Sequence, residues 1–308
     1  MIRPNLFIIG ATKCGTTSLH TYLNRHPAVV MSSTKEPGYF LTPDERHPVI
    51  QSGGKSEAEQ WESYAALFTS TNTGTAGLQP KYLGESSTAY THLPVRQGVA
   101  ERLFAFNPDA KLIYIIRDPI DRTISHYWWN VRHEGERRPP HEAIHIGSTY
   151  LDVSNYAMQL REYLAIFPAK AIQLITLEEL SSQPQESISR LLDWLGLEQV
   201  TADELINSRE NATPETLAYT RSNLLDRLRY SQLWNRLGPL VPKPIRSLGR
   251  RAVEVEVDRS QVDTTELEAW LRPRQQDQTR DLSEILGRSF NQWSRLWLSS
   301  NDEALPTT

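Results

Sequence analysis

The chemistry-bearing residues of this chain begin at a lysine set between two glycines. In Gly10-Ala11-Thr12-Lys13-Cys14-Gly15-Thr16-Thr17-Ser18, small hydroxyl residues follow the second glycine. Glycines let the backbone curl so that several N–H groups converge, and a helix N-terminus adds partial positive charge at the same place. A phosphate is the ligand such a loop suits. In the nucleoside-triphosphate loop, G-x-x-x-x-G-K-S/T, the lysine follows the second glycine. Here Thr16 stands at that position and Lys13 lies inside the loop. The spacing therefore points to a variant phosphate loop, although glycine-rich turns of this kind also occur with no ligand.

Other stretches carry similar potential. Thr34-Lys35-Glu36-Pro37-Gly38-Tyr39-Phe40 leaves the end of a short apolar run, where open α/β sheets place their ligands. Gly84-Glu85-Ser86-Ser87 suits a ligand-facing loop or an ordinary turn. Arg117-Asp118-Pro119 ends the strongest strand, and Ser125 follows eight residues after Arg117. That spacing allows an arginine fork and a hydroxyl to face one cleft as a second phosphate clamp. The alternative is an Arg117–Asp118 surface pair with a serine on a helix face. His141 and His145 have helical metal-ligand spacing but lack a third ligand nearby, so they read as solvated. Cys14 is the only cysteine, which excludes an internal disulfide and a cysteine metal cluster and suits a reducing cytoplasm. It reads as a small residue tolerated in a tight turn.

The elements that must position these residues alternate. Leu6 to Ile9 is a buried strand, and Leu19, Tyr22 and Leu23 mark one face of the helix after the loop. Ala28 to Met31 is a second strand, and residues 41–55 read as surface loop. Ser56 and Glu59 form a capping box for a helix to Phe68, and YLGESSTAYTHLP gives a short third strand ending in Gly84-Glu85-Ser86-Ser87. Leu93–Phe106 reads as helix, Lys111–Ile116 as strand, and Pro119 as the first position of the next helix. A polar excursion over 132–150 follows, then a helix over Ser154–Phe167, the strand Ile172–Thr176, and a helix over Pro184–Leu195 with Gly196 as its cap. The expected class is α/β, with a doubly wound parallel sheet of P-loop-like type flanked by helices. Beyond about residue 200 the pattern becomes helical, with segments at Asn223–Leu237, Thr264–Leu271, Pro273–Leu286 and Phe290–Leu298. We read 1–308 as a single domain, with an α/β core over 1–200 and a helical extension over 201–308.

Composition narrows the function. A net charge of −4 gives no field that would hold nucleic acid or an anionic membrane nonspecifically, so an anion needs a local site. The longest apolar runs are far short of the roughly 20 residues that span a bilayer. The first strand begins so early that no leader is expected, and the chain reads as cytoplasmic. The basic run Lys243, Arg246, Arg250 and Arg251 is a solvated face or a transient contact with an anionic acceptor or lipid surface.

Taken together, these pieces resemble the sulfotransferases that use 3′-phosphoadenosine 5′-phosphosulfate (PAPS), within them the bacterial and heparan-sulfate-type carbohydrate branch. The matching stretches are FIIGATKCGTTSLHTYL, KEPGYF, GESSTAY and YIIRDPIDRTISHYWW, in the family's order. Weaker likeness runs through SNYAMQLREYLAIFP, ITLEELSSQP and LLDWLGL to RPRQQDQTRDLSEILGRSFNQW. The resemblance implies a sulfotransferase with PAPS as co-substrate, 3′,5′-adenosine bisphosphate (PAP) as product, and no metal requirement. Lys13 would support the leaving oxygen, and Cys14, Gly15, Thr16, Thr17 and Ser18 would line the 5′-phosphosulfate loop. Arg117 and Ser125 would clamp the 3′-phosphate, and Glu36 would take the acceptor's proton. Lys35, Glu85, Ser87, His126 and Tyr156 are candidates for contact with the acceptor, a hydroxyl or amine of a carbohydrate, glycolipid or small metabolite. Gly38 stands where many relatives carry histidine, Ser86 where the heparan enzymes carry lysine, and their late lysine-glycine-arginine nucleotide loop is not found. These departures favour a non-heparan acceptor. The competing readings are a P-loop kinase or nucleotidase, with Asp118 on magnesium, and a nucleotide-binding regulatory protein without turnover.

Overall fold

The computed structural model describes residues 3–51, 54–68, 80–201, 216–220, 254–259 and 262–297, with 216–220 and 254–258 as backbone alone. The expected helix at Asn223–Leu237 and the basic run from Lys243 to Arg251 lie outside these residues.

The core is a parallel sheet of β1 (Leu6–Gly10), β2 (Val29–Met31), β3 (Tyr82–Ser86), β4 (Lys111–Ile116) and β5 (Ile172–Thr176), in the order β2-β3-β1-β4-β5. Its register places Leu6 beside Gly84 on one side and Lys111 on the other. Every residue of β1 is buried, as a central strand covered on both faces requires. The strand order reverses around β1, so the crevice at the carboxyl ends of β1 and its neighbours is the switch point where such sheets bind ligands.

Helices follow the strands. They are α1 (Thr16–Arg25), α2 (Glu57–Ala65), α3 (Val99–Phe106), α4 (Pro119–His133), α5 (Tyr156–Leu164), α6 (Leu177–Ser182), α7 (Pro184–Leu195) and α8 (Thr265–Leu286), with short helical turns elsewhere. The capping box of Ser56 and Glu59 forms as the spacing predicts. Thr176 and Glu179 make a second one at the start of α6, so that helix begins as β5 ends.

Several boundaries differ from expectation. The helix expected over Leu93–Phe106 begins at Val99, because Pro94 lacks an N–H and Gly98 takes a left-handed conformation (φ 71°) at its N-cap. The helix expected over Ser154–Phe167 shortens to α5, where Asn155 accepts the Met158 N–H and sets the start. The 132–150 excursion contains helical turns at Pro140–Ala143 and Thr149–Asp152, and the 41–55 loop one at Pro48–Gln51. Thr264–Leu271 and Pro273–Leu286 are one helix, α8, which runs through Pro273. An interior proline costs about 3 kcal/mol. Burial of Leu267, Leu271, Gln275, Thr279 and Leu282 along the same helix opposes that cost. The last helical turn is Ser294–Trp297, shorter than expected. A feature absent from the sequence reading is the antiparallel pair β6 (Thr216–Thr220) and β7 (Glu254–Asp258), which packs through β6 on α4. The alternation in Glu254-Val255-Glu256-Val257 is the local strand signal for β7.

The C-terminal helices pack on the α/β core. Gln275 Nε2 donates to Thr123 Oγ1 at 2.8 Å, joining α8 to α4. Trp293 is fully buried, and its indole N–H reaches Glu178 at 3.1 Å. Leu296 N–H donates to Asp118 Oδ2 at 3.0 Å.

Candidate functional site

The loop after β1 is shaped by its glycines. A Cβ on Gly10 would lie 2.1 Å from Thr91 Oγ1, and one on Gly15 would lie 2.8 Å from Leu177 Cδ1, at a left-handed φ of 86°. Gly15 occupies the N-cap of α1, where it offers no side-chain acceptor to the first turn. The leading N–H groups of a helix lack intrahelical partners, so this end suits an anion. Thr16 is buried, and Thr17 and Ser18 are half-buried beside it.

Lys13 sits within this loop with a left-handed backbone, φ 70°. Burial, and then the charges of Arg117, Lys35 and Arg259, push its pKa down to about 8. Lys13 therefore feels cations from three other parts of the chain, two of them, Lys35 and Arg117, also paired with carboxylates, Glu36 and Asp121. Arg117 comes from the end of β4. Its Nη1 donates to the Lys13 carbonyl across 3.4 Å, its Nη2 pairs with Asp121 at 3.2 Å, and its Nε is buried with no partner. The possible Arg117–Asp118 pair does not form. Asp118 instead caps α4 through the Ile120 and Asp121 N–H groups and accepts from Leu296 N. Ser125 lies two turns into α4, half-buried and without a hydrogen bond to Arg117.

Glu36 follows β2, also with a left-handed backbone (φ 59°). Its carboxylate accepts from Lys35 Nζ at 2.6 Å and from the Thr88 N–H at 2.7 Å. Its own N–H donates to the Ser86 carbonyl, pinning the loop to the end of β3. Gly38 has φ 61°, and a Cβ there would lie 2.9 Å from Leu41 Cδ1, so a histidine at this position would require the loop to shift. Ser86 is fully buried with its hydroxyl 2.8 Å from His20 Nδ1, in place of a lysine.

Some expected contacts are not made. Cys14 turns inward: its thiol is buried 3.8 Å from the Tyr156 hydroxyl, burial pushes its pKa up to about 11, and its N–H is used by the Ala11 carbonyl. It presents no group to the cradle. Tyr156 is buried and donates to the Arg117 carbonyl at 2.9 Å, so it braces the arginine rather than meeting an acceptor. Glu85 is fully buried and accepts from Tyr90, Tyr64 and Ser87, while Ser87 Oγ accepts the Gly38 N–H and the Tyr90 hydroxyl accepts the Phe40 N–H. Glu85 and Ser87 thus form a hub under the Glu36 loop, and neither faces a substrate. His126 is buried with Nδ1 3.2 Å from Arg122 Nη1, and burial together with Arg122 holds its pKa well below the usual histidine range. It too is interior. Lys35, expected at the acceptor, pairs with Glu36 through its Nζ, and its charge also acts on Lys13.

Arg259, immediately after β7, was missed. Its charge acts on Lys13 and its guanidinium lies over the Trp128 ring, 5.8 Å from the centroid. It reaches the site from a segment without phosphate-loop features, and the one signal was its place at the end of the Glu254–Val257 alternation. Among the described residues no group of three or more histidine, cysteine or acidic side chains could hold a metal ion. None of their helices is long and apolar enough to cross a membrane.

The chain is similar to the membrane-associated sulfotransferase kil1 of Dictyostelium discoideum, 33% identical over 42% of this chain and 23% of that protein. It is 28% identical to human heparan sulfate glucosamine 3-O-sulfotransferase 6, over 65% of this chain and 54% of that one. The chain thus spans about half or less of the length of these relatives. The solved structure of a sulfotransferase from Alicyclobacillus acidocaldarius shares the fold, with a TM-score of 0.61 and 23% identity over 95% of this chain and 99% of its own. A sequence model of the Sulfotransferase family matches residues 4–202, and the chain belongs to that family.

Proposed function

We propose that this protein transfers a sulfuryl group from PAPS to a hydroxyl or amine of a carbohydrate, glycolipid or small-metabolite acceptor. The observation that carries the reading is the convergence of Lys13 and Arg117 at neighbouring strand ends, joined by the Arg117 bond to the Lys13 carbonyl. The unpartnered Nε of Arg117 and the uncapped start of α1 fit a ligand with two anionic groups. A carbohydrate acceptor is favoured by the likeness to the heparan sulfate relatives.

In this reaction the acceptor atom bonds to sulfur while the bond from sulfur to the 5′-phosphate oxygen breaks, so negative charge grows on the departing oxygen. Lys13, as an ammonium, meets that charge, and donors aimed at developing charge supply the largest catalytic term. Glu36 takes the acceptor's proton, a contribution of roughly 10²- to 10⁴-fold. Thr16, Thr17 and Ser18 line the 5′ side, and Arg117 with Ser125 holds the 3′-phosphate. The whole chain acts as one unit in this account, and its single cysteine suits action in a reducing cytoplasm.

The kinase reading is not favoured, because both carboxylate oxygens of Asp118 are engaged by backbone N–H groups and are not offered to magnesium. The test is transfer of radiolabelled sulfuryl from PAPS to a panel of sugars and small alcohols, with wild type and Glu36→Gln. Labelled product that falls at least about a hundredfold in the variant supports the reading. Nucleotide binding without transfer to any acceptor, unaltered by Glu36→Gln, favours a regulatory protein.

A further inference from the structure

His92 stands between two partners whose hydrogen-bonding roles are fixed by chemistry. Arg96 Nη1 lies 3.0 Å from His92 Nδ1, and a guanidinium only donates, so Nδ1 accepts. Burial, with the charges of Arg96 and Arg122, pushes the His92 pKa down to about 3, so the ring is neutral and carries its one proton on Nε2. That nitrogen is 2.8 Å from Thr12 Oγ1 and therefore donates to it. The Thr12 hydroxyl proton is thereby left for another acceptor, and Thr12 Oγ1 makes no other hydrogen bond among the described residues. At the far end, Glu45 Oε1 accepts from Arg96 Nε at 2.9 Å. The chain Glu45–Arg96–His92–Thr12 runs in one direction and ends on a hydroxyl proton inside the Gly10–Gly15 loop.

We propose that Thr12 is a further binding residue, whose hydroxyl donates to the anion held by this loop, and that His92, Arg96 and Glu45 are positioning residues that fix the direction of the donation. The inference rests on reading the loop as the 5′-phosphate site. A neutral donor suits the place. Lys13 already feels Arg117, Lys35 and Arg259, and another cation at position 12 would lower its pKa further. A hydroxyl adds a hydrogen bond without adding charge.

The test is calorimetric titration of the full chain with PAP and with adenosine 3′-phosphate, which lacks the 5′ group. Thr12→Val keeps the side-chain shape and removes only the hydroxyl. It should weaken PAP by about ten- to a hundredfold, the range for a hydrogen bond to a charged group, and leave adenosine 3′-phosphate within about twofold. Thr12→Ser should restore PAP affinity to within about threefold of wild type. Arg96→Met, which frees the His92 tautomer, should also weaken PAP, and adding Thr12→Val to it should cost less than Thr12→Val costs alone. Unchanged PAP affinity in Thr12→Val, or equal losses for both nucleotides, overturns the proposal while leaving the donor site intact. A wild-type chain that binds neither nucleotide overturns the donor reading itself, and the proposal with it.

Discussion

Lys13 and Glu36, on separate loops at the carboxyl end of the sheet, are the non-glycine residues with left-handed backbone among those described, at φ 70° and 59°. Such a conformation costs an ordinary residue about 1–2 kcal/mol, and strain of this kind collects at functional sites. The two residues expected to work on opposite sides of the transferred group are thus both held where glycine would be more comfortable.

That relationship sets a stability test at Glu36. Both Glu36→Gly and Glu36→Ala remove the carboxylate and its bonds to Thr88 and Lys35. The glycine variant should be the more stable by about 1 kcal/mol, because only it escapes the left-handed penalty. Urea unfolding of the two proteins measures the difference, and both should lack transfer activity.

Arg117→Ala should weaken PAP binding by roughly ten- to a hundredfold, since a charge-assisted hydrogen bond is worth about 1.5–3 kcal/mol. If the guanidinium served only its half-buried ion pair with Asp121, the variant would lose some stability and nothing at the nucleotide. Calorimetric titration of the variant separates these outcomes.

Much of this site was legible because its signals are local. Glycine spacing fixes the loop after β1, and proline positions fix the start of α4 and the exit from β2. Arg259 was not legible, because its proximity to Lys13 depends on the β6–β7 pair delivering it from far along the chain. The interior roles of Glu85, His126 and Tyr156 were hidden for a related reason. A polar residue next to a motif reads as a ligand contact, while its burial is decided by aromatic packing around it, such as Tyr39 stacked on Tyr64 at 4.3 Å. Continuation of α8 through Pro273 is tertiary packing overriding local propensity.

Donor binding should depend on pH through Lys13. Its pKa is lowered to about 8 by burial and by Arg117, Lys35 and Arg259. The protonated form binds the anion, so affinity for PAP is full below this value. It should fall as pH rises through about 8, at no more than about tenfold per pH unit. In Lys13→Met the affinity should be lower at pH 7 and this dependence should vanish. Titrations between pH 6.5 and 9.5, a range of roughly 1.5 units on either side of that pKa, read both effects.

Glu85 makes stability depend on pH in the opposite region. Burial raises its pKa from 4.5 to about 7, so between these values the folded protein holds a proton that the unfolded chain releases. Stability from this group is therefore present below 4.5 and is lost as pH rises through 7, by up to about 1.4 kcal/mol per unit. Glu85→Gln should remove that slope. Subtracting its urea-unfolding free energies from those of wild type across the window isolates the Glu85 contribution from that of Asp118, whose pKa is also raised, to about 6.

The central claim is tested most directly by a thermal-shift titration with PAP, ADP and ATP, each with and without magnesium. At a hundred times its dissociation constant, a ligand adds about 2.7 kcal/mol, a shift of several degrees for a chain of this size. The account predicts that PAP stabilises the protein without magnesium and that Arg117→Ala cuts that stabilisation to about 0.4–1.4 kcal/mol, roughly half or less, at the same concentration. Stabilisation by magnesium-ATP alone would contradict it.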